Sequence, residues 1–265
     1  MPFNLQETMD PTPVGELAAS TPLARRIRTA VRHSDVWLNP ATILMIAFLL
    51  AIPLQRAGGD LWIADRIFDW EGGRWSLRDE WWLSGILHDA GRRFSIACWL
   101  AVVSAWALSG RCKVPRDWRG PLGYLAVAVL AATLLVTIIK RGSGVDCPWD
   151  LLRYGGTRPY LAPFSFETLA APGACFPGGH ASAGYAWLAA GFALSGNPRL
   201  ARSAFALAIT AGLAFGIAQQ FRGAHFLSHD LWTLALCWAT ACALYRQWEN
   251  RGHPRHPGTM RGTAA

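Results

Sequence analysis

The chain has 265 residues, 52% hydrophobic and only 16% charged, with a formal charge of +8. A soluble domain carries about 25% charged residues, so the composition argues against one. The apolar residues gather in blocks near the ~17–25 residues that cross a bilayer. Six scattered cysteines exclude a disulfide-dense secreted scaffold, and the chain reads as a single all-α, polytopic membrane domain.

Residues 1–35 are polar, with Pro11, Pro13, Pro22 and the basic cluster Arg25, Arg26, Arg28 and Arg32. No apolar core follows Met1 closely, which argues against a cleavable signal peptide. The segment reads as a disordered cytoplasmic tail. Its arginines sit directly against a span, which favours anionic lipid over nucleic acid as their partner.

Val36 to Gln55 reads as the first of six spans. The loop 56–93 follows, and in it Ser76-Leu77-Arg78-Asp79 has the pattern of a helix N-cap with an acid three residues on. Leu77, Trp81, Trp82, Ile86 and Leu87 then recur at helical spacing, which predicts a tryptophan-rich helix at the lipid–water boundary. Phe94–Ser109, Pro121–Ile139, Ala181–Ser195, Leu200–Gln219 and Ser228–Tyr245 are the other five spans. The membrane domain therefore covers 36–246, and 247–265 reads as a disordered tail. The tails, the loop with Arg111, Lys113, Arg116 and Arg119, and the 196–202 turn are arginine-rich, whereas loops 56–93 and 140–179 balance bases with acids. The positive-inside rule then puts both termini in the cytoplasm and loop 140–179 outside.

On that topology three polar clusters meet at the outward face: Lys140 and Arg141, then Pro177-Gly178-Gly179-His180, then Arg222, His225, His229 and Asp230. Ionisable residues at the ends of apolar helices are expensive to hold and mark function. Gly178 and Gly179 let the backbone approach an anion, and a helix start at His180 offers free N–H groups to it. Lysine and arginine bind phosphate oxygens. One histidine can attack phosphorus while a second protonates the leaving oxygen, and a carboxylate can orient the attacker.

These residues resemble the type-2 phosphatidic acid phosphatase (PAP2) superfamily of membrane lipid phosphatases. Its pattern is Lys, six residues, Arg-Pro; then Pro-Ser-Gly-His; then Arg, five residues, His, three residues, Asp. This chain has Lys140, six residues, Cys147-Pro148; Pro177-Gly178-Gly179-His180; and Gln219, five residues, His225, three residues, His229. The likeness covers roughly residues 90–246. It implies a six-helix bundle with a PAP2-type site at the outward face, hydrolysing a phosphomonoester or pyrophosphate on a lipid headgroup. His225 is the implied nucleophile, His180 the general acid and Lys140 a phosphate ligand, with no cofactor and no metal. The chain departs from the pattern at Cys147, Gly178, Gln219 and His229. Arg222, one turn after Gln219, is a candidate to replace the missing arginine, and Asp230 to orient His225. Arg141, Arg153 and Arg158 are further sources of positive charge.

The implied partners are a phosphorylated lipid and the bilayer, with no nucleic acid, and the implied place is a bacterial inner membrane. Cys147 and Cys175 share the outward loop, and an oxidising compartment favours a disulfide between them. Other readings stay open: a phosphotransferase of the same fold, a non-catalytic lipid-binding protein, a thiolate loop from Cys147 to Arg153, and a metal held by His225 and His229. His88 reads as an interfacial histidine, His33, His253 and His256 as tail residues, and Cys98, Cys112, Cys237 and Cys242 as packing residues.

Overall fold

The computed structural model describes residues 39–110, 118–167 and 173–251. The N-terminal tail, residues 252–265, Arg111, Cys112, Lys113 and Arg116 lie outside them, while 247–250, expected in the C-terminal tail, continue the last helix. Every regular element described is a helix. The first, α1 (Pro40–Arg56), starts where the Asn39 side chain accepts the Ala41 N–H and Pro40 supplies a fixed φ. A 62° bend leads into α2 (Gly59–Trp70).

The stretch expected as a loop, 56–93, thus holds a helix. It also holds a π-helical segment, Trp82–Ala90, that runs into α3 (Gly91–Leu108). Ser76 does not cap it. Its hydroxyl donates to Glu71 at 3.2 Å, and the same carboxylate accepts the Leu77 N–H at 3.0 Å. Trp75 turns inward instead, against Phe68 and Tyr154, with ring centroids 5.2 and 5.3 Å away. That aromatic cluster, completed by Leu151 and Phe226, fastens the α2 region to loop 140–179. Arg153 adds a two-pronged ion pair to Asp65, at 2.7 and 2.6 Å.

The long helices are α4 (Arg119–Arg141), α7 (Pro198–Phe221) and α8 (Leu227–Asn250). Asn197 starts α7 by accepting the Arg199 and Leu200 N–H groups, again with proline next in sequence. The expected span Ala181–Ser195 is broken into α5 (Ser182–Tyr185) and α6 (Leu188–Ala193). The break has partners: the Ala183 carbonyl accepts the Ser95 hydroxyl at 2.9 Å, and Ser95 Oγ accepts the Trp187 indole N–H at 2.9 Å.

By length and composition α4 and α7 can each cross a membrane, and the bent pair α1–α2 makes a third candidate if it counts as one span. On α4 the residues turned inward are small or slender (Ala128, Val129, Ala132, Val136), while Val127, Leu130, Leu134 and Ile138 face out. On α7 Ala208 is inside and Leu207, Leu213 and Ile217 are outside. Water would penalise such a surface; lipid does not, and small residues at helix contacts suit a bilayer. The apolar helices therefore mark a membrane-associated protein.

Candidate active site

The last turn of α4 presents Lys140, and the start of α8 is set beside it. Two polypeptide stretches join them. In the first, Cys147 and Cys175 form a disulfide with Cα atoms 5.2 Å apart, and the Cys175 N–H donates to Val145 O at 2.8 Å. This closes loop 140–179 at its base. Phe176 follows and packs edge-on against His229, centroids 5.3 Å apart.

Residues 177–180 then run over the first turn of α8. The Gly178 N–H donates to His229 O at 3.3 Å, and the Thr233 hydroxyl lies 3.2 Å from Gly178 O and 2.7 Å from His229 O. Glycine at 178 lets the chain pass close to Asp230. A Cβ there would stand 2.6 Å from Asp230 Oδ1, and one at Gly216 would stand 2.6 Å from Asp230 Oδ2. The Asp230 carboxylate fills the space between the two glycines and accepts the Gln220 amide N–H at 2.7 Å.

The histidines form a row. His180 and His225 have ring centroids 6.4 Å apart, and His225 and His229 5.7 Å apart. His225 is 3% exposed, and its Nδ1 has no hydrogen-bond partner among the described residues. Burial, then the charge of Lys140 and the two neighbouring imidazoles, hold its pKa well below the usual histidine value; a hydrogen bond with the Cys175 backbone opposes this weakly. His225 is therefore a neutral base with a free lone pair near pH 7.

A cavity of about 400 Å³ opens beside this row, lined by Lys140, Gly179, His180, Thr137, Arg92 and Phe215 among others. Of the residues expected from the sequence, it brings together Lys140, Gly179 and His180, with His225 one ring behind His180. Others it does not bring. Arg141 is exposed and off the cavity wall. Arg222 is turned away: its Nε donates to Arg78 O at 2.7 Å and its Nη1 to Gln219 Oε1 at 3.3 Å. Arg153 is committed to Asp65. Asp230 holds Gln220, and His229 is the side chain that faces His225. Among the described residues no three His, Cys, Asp or Glu side chains gather as metal ligands.

Two residues of the site region escaped the sequence reading. Asp60, at the start of α2, is buried; its Oδ1 accepts the Ser228 N–H at 3.0 Å and its Oδ2 the Ser228 hydroxyl at 2.5 Å. The Gly59-Asp60 pair directly after an apolar run was the available signal. Arg92 is the other; it falls near the end of loop 56–93, outside the three motifs.

No curated protein and no solved structure matches this chain. A model of the PAP2 superfamily matches residues 121–253, half of the sequence. Membership supports a phosphatase-type function. The matched stretch begins in α4, ends just past α8 and contains Lys140, His180 and His225, and on that match the chain belongs to the PAP2 superfamily.

Proposed function

We propose that this protein is a membrane lipid phosphatase that cleaves a phosphomonoester or pyrophosphate on a lipid headgroup through a phosphohistidine. The observation that carries the reading is the facing pair His180 and His225, 6.4 Å apart by ring centroid, with Lys140 on the wall of the adjoining cavity. A ring nitrogen of His225 attacks phosphorus while the bond to the leaving oxygen breaks, and His180 gives that oxygen its proton. Water then attacks the phosphohistidine, His180 takes up the water's proton, and phosphate leaves with His225 restored. Lys140, with the backbone at Gly179, offsets the charge on the phosphoryl oxygens; Gly178, expected beside it, spends its N–H on His229 O and is off the cavity wall. The cavity stops at His180, so turnover requires that ring to turn and open the way to His225.

The domain is read as six spans over residues 36–246, between a basic N-terminal tail and a C-terminal tail. Both termini are cytoplasmic and the histidines face the outside of a bacterial-type inner membrane. The uneven arginine distribution supports that orientation. The test is phosphate release by purified protein in detergent with EDTA present. The panel is phosphatidic acid, phosphatidylglycerol phosphate, a polyprenyl pyrophosphate and lipid A, with His225→Ala and His180→Ala alongside. Release that vanishes in both variants is the expected result. Full activity in either variant overturns the mechanism, and binding without turnover points to a lipid-binding role.

A further inference from the structure

We propose that Arg92 is the second cation of the phosphate pocket, and that with Lys140 it selects a terminal, dianionic phosphate over a phosphodiester. This rests on the phosphatase reading above. A terminal phosphate carries about −1.5 to −2 charges near pH 7. The cavity wall offers Lys140 as one cation, and the buried His225 stays neutral. One ammonium leaves most of that charge uncompensated. The arginines that stand nearest in sequence to the motifs do not supply the remainder, since Arg222 is held by Arg78 O and Gln219 and Arg141 is off the wall. Arg92 is on the wall with Lys140 and His180, and its guanidinium has no carboxylate partner among the described residues.

The fold holds Arg92 in place. Gly91 packs onto Phe215 of α7 so closely that a Cβ would lie 2.6 Å from the ring, which presses the first turn of α3 against the cavity. Ser95 sits one turn after Arg92, on the same helix face. Its hydroxyl donates to Ala183 O, and its oxygen accepts the Trp187 indole N–H, each at 2.9 Å. The turn carrying Arg92 is thereby tied to the segment that carries His180. A guanidinium offers a planar fork of donors that matches two phosphate oxygens, where an ammonium is a point charge. A phosphodiester has one charge fewer and one free oxygen fewer, so it gains less from the fork.

The experiment compares wild type, Arg92→Gln, Arg92→Lys and Arg93→Gln in detergent. It reads kcat/KM on a phosphomonoester lipid, and the protection against thermal unfolding given by inorganic phosphate. Arg92→Gln is expected to lose about 100-fold in kcat/KM, the scale of one transition-state donor, and most of the phosphate protection. Arg92→Lys recovers part of both, and Arg93→Gln keeps both. If Arg92→Gln keeps wild-type kcat/KM and protection while His225→Ala is inactive, the role of Arg92 is overturned and the phosphatase reading stands. If wild type neither releases phosphate nor is protected by it, both fall.

Discussion

His225 shows how burial sets the chemistry of a single residue. Its imidazole is held neutral because water cannot reach it and Lys140 repels a second positive charge. An unfolded histidine titrates at about 6.5, and the folded His225 titrates below that. Between the two values the unfolded chain binds the extra proton, so stability is full above about pH 6.5 and falls as pH drops through that window. Thermal unfolding at pH 5.5 is therefore expected at a lower temperature than at pH 7.5, with a smaller difference in His225→Asn. In kcat/KM the acid limb owed to His225 lies below pH 6.5; an acid limb above pH 7 would exclude a neutral buried nucleophile. Gly178 gives a second residue-scale prediction. Serine there would force its Cβ against Asp230, costing about 1–3 kcal/mol as overpacking does. The loss should shrink in an Asp230→Ala background, as a double-mutant cycle in thermal unfolding would show. Spacing made Lys140, His180 and His225 legible in the sequence. It misplaced Asp230, because neighbours on a helix point about 100° apart: His229 faces His225, and Asp230 faces Gly178 and Gly216.

At the scale of elements, the helix that follows His225 is started by another helix. Phe226 occupies the N-cap position of α8, and its side chain makes no capping hydrogen bond. Asp60 of α2 reaches across and takes both the N–H and the hydroxyl of Ser228, while Gln55 of α1 donates to Ser228 Oγ at 3.1 Å. The α1–α2 corner thus fixes where α8 begins and where the histidines stand. Asp60→Ala leaves a buried N–H and a buried hydroxyl without their acceptor, a loss of about 1–3 kcal/mol. Asp60→Asn keeps one acceptor and should lose less. Thermal unfolding in detergent, read beside phosphate release, checks the order; equal stability in all three proteins would remove Asp60 as the cap. Nothing in the sequence around Ser228 points to this cap, because its carboxylate lies 168 residues away. The break between α5 and α6 was hidden for the same reason. Its local sequence is mainly small and apolar, and the partner of both bonds at the break, Ser95, lies 88 residues before Ala183 and 92 before Trp187. The runs that became α4 and α7 were legible because their apolar content alone settles them.

At the scale of the whole molecule, α4 and α8 run antiparallel, with Lys140 and the histidine row at one end and Arg119 and Arg251 at the other. Lys140 is 21 residues from Arg119, so the two ends of α4 are separated by about 32 Å at 1.5 Å per residue, close to the ~30 Å hydrocarbon thickness. The histidine row and the arginine-bearing end therefore belong to opposite membrane faces if α4 spans. Since arginine-rich ends stay in the cytoplasm, this arrangement supports the proposed outward-facing site. Two single cysteines test this in a background where Cys98, Cys112, Cys237 and Cys242 are replaced and the Cys147–Cys175 disulfide is kept. Thr157→Cys lies in loop 140–179, and Gly196→Cys lies in the turn before α7, both at exposed positions. In intact cells a membrane-impermeant maleimide is expected to label Thr157→Cys and to reach Gly196→Cys only after permeabilisation. The opposite pattern would put the histidines on the cytoplasmic side and make an inner-leaflet phosphate the substrate. Labelling of both in intact cells would mean that α4 and α7 do not separate the two loops, and the six-span reading would fail with it.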